Sequence, residues 1–151
     1  MNKPAKKLLL AVRPIDLPVV SAVLGDGFDV TIAHRLDDAK ARLNAEIGLI
    51  ACGVHFDEGM MFELLNAARS NPLTKSTPFY VLFKEEQGYS RPIIDGIRSA
   101  SKLLGATDFI DLLKMAQELG EDNAKEVIRK SISEVLEQSS QDKAWKSVER
   151  F

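Results

Sequence analysis

Thiols are nearly absent from this chain: Cys52 is its one cysteine in 151 residues. A single thiol closes no internal disulfide and builds no multi-thiolate metal cage. Its surroundings in Ile47–Cys52, IGLIAC, are apolar, so it is expected to behave as a small buried hydrophobe. Histidine is almost as scarce. His34 and His55 form no His-x-x-x-His pair and have no cysteine beside them, which argues against a transition-metal centre; His55 is expected to be a solvent-facing loop residue. Neither sign of charge prevails, with 20 basic and 22 acidic residues and a net charge of −2, so no broad attraction to phosphate backbones or anionic lipid follows. Neither nucleic acid nor membrane is expected as a partner. Long apolar runs are missing too. The N-terminal run in MNKPAKKLLLAVRP stops at Arg13-Pro14, too short for a secretion signal or a membrane span, and a cytoplasmic protein is expected. No serine lies in a nucleophile elbow, and Gly25-Asp26-Gly27 is too short for a dinucleotide fingerprint and follows no strand directly.

What is present suits one domain with an ordinary core: 45% hydrophobic and 28% charged residues over a length typical of a single fold. Leu8–Val12 is continuously apolar, as a strand covered on both faces is. Asp16–Leu24 reads as a short helix with Pro18 in its first turn. Phe28–Ala33 alternates, which predicts a strand near a sheet edge. Leu36–Leu43 places Leu36, Ala39 and Leu43 on one helical face. A second buried strand over Ile47–Cys52 precedes a helix over Met60–Arg69, with Met61, Leu64, Leu65 and Ala68 inward. Phe79–Phe83 is aromatic and β-branched, hence a strand. After the polar loop Lys84–Arg91, a helix opening at Pro92 carries the stripe Ile93, Ile94, Ile97, Ser101 and Leu104 and stops at Gly105. Thr107–Ile110 is a short last strand. Asp122–Glu137 is the clearest helix, capped by Asp122 or Asn123.

Strand and helix alternate five times. That predicts a doubly wound α/β sandwich, a parallel sheet with helices on both faces and ligands bound beyond the C-terminal strand ends.

Several phrases carry a resemblance. Glu63-Leu64-Leu65, Ala68-Arg69, Asn71-Pro72 and Thr77-Pro78 follow in order, and Gly105-Ala106-Thr107-Asp108-Phe109-Ile110 is similar to a Gly-Ala-Asp-Asp-Tyr-Leu run. Together they resemble the response-regulator receiver (CheY-like) domain over about residues 6–138. The resemblance implies a flavodoxin-like fold with five parallel strands in order 2-1-3-4-5. It also implies two acidic residues holding Mg²⁺, an aspartate nucleophile, a hydroxyl and a lysine, since a carboxylate must attack phosphorus while cations neutralise the moving charge. Here the acidic pair falls on Val12 and Arg13, or on Arg13 and Pro14 if the register slips by one, the nucleophile on Gly53, the hydroxyl on Phe83 and the lysine on Leu112. All five groups are replaced. The expectation is a degenerate pseudo-receiver that lacks the phosphoacceptor, is not an enzyme, needs no cofactor and works by binding another signalling or regulatory protein, in bacterial signalling or as a homodimer.

Two alternatives come from other classes. Asp16, Asp57 and Asp111 all follow strands at the same sheet edge, where they are either ordinary turn aspartates or a displaced pocket for Mg²⁺ or a small molecule. Phosphorylation of Asp57 itself is the other. Phe109 aligns with an aromatic that reports to a partner surface in receivers, and is otherwise plain packing. Leu112–Gly120 reads as an extra helical turn that covers the old site. Residues 1–138 are expected to form the receiver-like domain. Residues 139–151 form a helical tail whose Trp145, Val148 and Phe151 either dock a partner or fold back on the domain. No separate output domain is expected within this length.

Overall fold

Leu8, Leu9, Leu49 and Ile50 have no exposed surface, as the continuous apolar runs require of strands covered on both sides. The computed structural model describes residues 6–84 and 89–149, with side chains as far as residue 138. Five strands, β1 (Lys7–Ala11), β2 (Val30–Ala33), β3 (Ile47–Gly53), β4 (Phe79–Phe83) and β5 (Asp108–Asp111), form one parallel sheet in the order β2-β1-β3-β4-β5. This is the flavodoxin-like order, with β2 at an edge as its alternation predicts.

Helices cover both faces. One core layer joins Leu9, Ile50, Cys52, Val81 and Phe83 to α2 (Leu36–Ala41), α4 (Met61–Ser70) and α5 (Arg91–Leu103). The other joins Leu8, Leu10, Leu49 and Tyr80 to α1 (Leu17–Leu24) and α7 (Glu121–Glu149). Met61, Leu64, Leu65 and Ala68 are all buried on α4, the face their spacing predicts. Pro18 lies in the first turn of α1, after a 3-10 turn at Pro14–Asp16. Arg129 of α7 donates from Nε to the Val23 carbonyl at 2.8 Å and from Nη2 to the Ala22 carbonyl at 2.9 Å, so a cation meets the open carbonyls that end α1.

Some expectations need correction. The α5 stripe is narrower than its spacing implies: Ile94 and Ser101 are buried, whereas Ile93 and Leu104 are half exposed. Pro92 does lie in the first turn of α5, and Ser90 caps it, its side chain accepting from the Ile93 N–H at 3.5 Å. Gly105 does stop that helix, at φ +105°, a conformation glycine adopts without strain. In place of one extra turn, Leu112–Leu119 forms a two-turn helix, α6, capped by the Asp111 side chain. Gly120, at φ +84°, then breaks the path, and α7 starts at Glu121 with neither Asp122 nor Asn123 as its cap. The α7 backbone runs unbroken past residue 138 to Glu149, so the expected tail begins as a continuation of that helix. The side chains of Trp145 and Val148, and all of Phe151, lie outside the described residues.

Cys52 is fully buried, and burial pushes its thiol pKa well above the usual value. Only the thiolate attacks a disulfide reagent, so native Cys52 is expected to react with Ellman's reagent at least about a thousandfold more slowly than in denaturant, because exposure requires an opening worth several kcal/mol. Stopped-flow labelling at equal pH measures the ratio. Native labelling at the rate of a free thiol would contradict this burial.

Candidate functional site

The C-terminal ends of β1, β3, β4 and β5 meet at one edge of the sheet. There the chain leaves β1 through Val12 and Arg13, β3 ends at Gly53, and Leu112 follows β5. A void of only about 10 Å³ remains, lined by Val12, Asp16, Val20, Gly53, Val54, His55, Leu82, Lys84 and Leu112. That is about the least space one water needs. Glycine at 53 is not imposed by crowding: a Cβ there would meet Val12 Cγ1 at 3.6 Å, an ordinary contact.

One carboxylate lines this void. Asp16 is buried, and Arg13 grips it twice, Nε to Oδ2 at 2.8 Å and Nη2 to Oδ1 at 3.1 Å. Lys84 Nζ stands 3.8 Å from Oδ1. The Arg13 guanidinium thus engages both oxygens of the carboxylate, and the Lys84 ammonium stands near one of them. Mg²⁺ demands near-octahedral oxygen ligation. One aspartate already bound to arginine does not meet that demand, so these residues do not fit the ion.

The other two aspartates take the ordinary helix-start role, and the displaced acidic pocket weighed against it is not assembled by Asp16, Asp57 and Asp111. Asp111 Oδ1 accepts from the Lys114 N–H at 3.1 Å and caps α6. Asp57 turns to α2: its Oδ2 accepts from the Leu36 N–H at 2.8 Å, and Arg35 Nε lies 3.5 Å from Oδ1. It thereby caps a helix whose own N-cap residue, Arg35, supplies no side-chain bond. To reach it, Asp57 and Glu58 both adopt left-handed backbone, at φ +43° and +57°, in the irregular turn α3 (Phe56–Gly59). Such residues cost about 1–2 kcal/mol each. Among the described residues no group of three or more His, Cys, Asp and Glu is placed to hold a metal ion.

Phe83 and Phe109 lie on the opposite side of the sheet end from the void. Their rings stack at 6.1 Å, and Arg98 sits 4.8 Å over Phe109. His55 is not solvent-facing. It is half-buried, edge-on to Tyr89 at 5.0 Å and 6.4 Å from Phe83. His34 Nδ1 donates to the Val12 carbonyl at 2.8 Å and ties β2 to the end of β1.

Sequence reasoning missed the Arg13–Asp16–Lys84 group. Its local half was visible, because arginine and aspartate three apart at a helix start form a natural pair. Lys84 joins only through sheet order, as the first residue past β4.

No protein-family model matches this sequence, and no curated protein matches it either. Solved structures do. A response regulator from Hahella chejuensis superposes with TM-score 0.65 at 18% identity, covering 87% of this chain and 96% of that one. The receiver domain of a LuxO repressor protein from Vibrio parahaemolyticus gives 0.66 at 15% identity, covering 97% and 99%. The chemotaxis protein CheY4 of Vibrio cholerae gives 0.55 at 26% identity, covering 76% and 99%. The fold is that of receiver domains.

Proposed function

We propose that this chain is a receiver-like protein-interaction module of bacterial signal transduction that acts independently of phosphorylation. It turns over no substrate and recognises another signalling or regulatory protein by shape. One observation carries the reading: where receivers assemble acceptor, metal ligands and lysine, this chain offers Gly53, Val12 and Leu112, and its nearby carboxylate, Asp16, is gripped by Arg13. Phosphoryl transfer needs a free carboxylate in line with phosphorus and a cation that can follow the charge.

A surface for a partner is supported by α5 and its exit. Ile93 is 50% exposed, Leu103 87% and Leu104 49%, a concentration of large apolar side chains on one short stretch. A homodimer is the form of this reading in which the partner is a second copy.

Incubation with acetyl phosphate and Mg²⁺, followed by intact-mass measurement, is expected to leave the chain unmodified. Gly53→Asp is expected to stay unmodified as well, because restoring the acceptor restores neither metal ligands nor lysine. A stoichiometric phosphoryl adduct on the native chain, lost in Asp57→Asn, would overturn the proposal. Recovery of a partner on the immobilised chain is expected to be equal with and without acetyl phosphate, and to fall about tenfold or more with Leu103→Asp, as for a central apolar contact.

A further inference from the structure

The break at Gly120 has a second effect. It separates α6 from α7, and both helices line one space together with α1. A cleft of about 370 Å³ results. Val19 and Val23 of α1 form one wall, Leu113 and Ala116 of α6 another, and Ala124 and Ile128 of α7 the floor. That volume falls within the range of small-molecule sites, roughly 300–1,000 Å³. The walls are aliphatic and the charge is confined to Lys84, Lys125 and Glu121.

Lys84 and Leu112 also line the small void beside Asp16, so they form the boundary between the two spaces. Lys84 is 42% exposed and meets Asp16 only at 3.8 Å, the outer limit of an ion pair. It can turn to a second anion without stripping Asp16 of its closer partner, Arg13.

We propose that this cleft binds an amphipathic carboxylate, with a medium-length aliphatic chain between α1, α6 and α7 and its head on Lys84 and Lys125. Two lysines against one exposed glutamate favour an anionic head, and aliphatic walls without a buried polar side chain favour an unbranched chain over a polar ring. A docked helix is the poorer fit. A helix is about 10 Å across with its side chains and needs a trough open along its length, whereas Lys84 and Leu112 bound this cleft. The proposal stands independently of the signalling reading.

Decanoate is the probe, titrated below its micellar range and followed by ¹⁵N NMR and calorimetry on the full chain. The expected result is saturable one-to-one binding, with shifts concentrated at Ala116, Ala124 and Ile128. Octanoate should bind about tenfold more weakly, the effect of two fewer buried methylenes. Decanol should bind at least about fivefold more weakly, and Lys84→Gln or Lys125→Gln should remove most of the difference between acid and alcohol, while Lys130→Gln changes nothing. Ala116→Phe fills the cleft and should abolish binding. If that variant does not fold, as judged by circular dichroism, Ala22→Phe on the opposite wall takes its place. Absence of saturable binding, equal affinity for acid and alcohol, or binding that survives the filled cleft would each overturn the proposal. So would a dimer by sedimentation that Ala116→Phe dissociates, since a second copy would then be the occupant.

Discussion

Replacing Phe83 with alanine is expected to lower the free energy of unfolding by about 3–5 kcal/mol, the range for deleting a fully buried aromatic. The ring is 1% exposed at the last residue of β4. It is stacked on Phe109 and lies 6.1 Å from Tyr89 and 6.4 Å from His55, so its loss leaves a cavity bounded by three other rings. Phe109 is fixed within β5 and collapses poorly into such a space, which places the effect toward the upper end. Phe83→Thr should cost at least as much, because its hydroxyl would enter an apolar cluster. Urea denaturation followed by circular dichroism measures both, with the midpoint lowered and the slope unchanged. A loss under about 1 kcal/mol would show that the neighbouring rings close the gap, and the position would then not be core.

Arg69→Ala is the second large effect, expected at about 2–4 kcal/mol. Arg69 ends α4, and its guanidinium makes four hydrogen bonds to three backbone carbonyls. Nε and Nη2 donate to Gly105 at 3.0 and 2.8 Å, and Nη1 donates to Thr74 at 3.2 Å and Thr77 at 2.8 Å. Each bond from a charged donor contributes about 1.5–3 kcal/mol, but the four share one side chain and water reaches part of it, so they do not add. Burial lowers the Arg69 pKa from its usual value, yet guanidinium stays protonated throughout the accessible range. The loss is therefore expected to be flat from pH 5 to 9. Arg69→Lys should recover less than half of it, because one ammonium cannot span carbonyls on both sides of the fork. Denaturation midpoints at three pH values test the magnitude and the flatness together.

Much of the architecture was legible because a parallel sheet writes itself plainly. Strands buried on both faces must be continuously apolar, and Leu8–Val12, Ile47–Cys52 and Phe79–Phe83 are. The α4 face was equally clear, since Met61, Leu64, Leu65 and Ala68 keep helical spacing. The stripe on α5 misled because spacing alone does not say how wide a face the sheet covers: Ile93 and Leu104 lie on its margins and stay half exposed. The candidate site was less legible. That Val12, Gly53 and Leu112 stand at the C-terminal edge of the sheet was readable from the strand pattern. The tasks of the nearby aspartates were not, because each depends on a partner that only the fold supplies. Asp57 caps a helix that begins 21 residues earlier. No local rule favours two left-handed non-glycine residues in succession, yet Asp57 and Glu58 hold that backbone where Asp57 accepts from the Leu36 N–H. Lys84, past β4, reaches Asp16, past β1, across the end of β3.

The bonds from Arg129 to the end of α1 span more than a hundred residues. With Ile128, Ile132 and Leu136 they complete a layer that includes Leu8, Leu10, Val20 and Leu24, near the opposite end of the chain. During synthesis the first of these groups therefore leaves the ribosome with its covering helix still unmade. Sheet formation cannot be sealed on that side until translation has passed Leu136, and a nascent chain paused earlier presents a strip of leucines that a chaperone would hold.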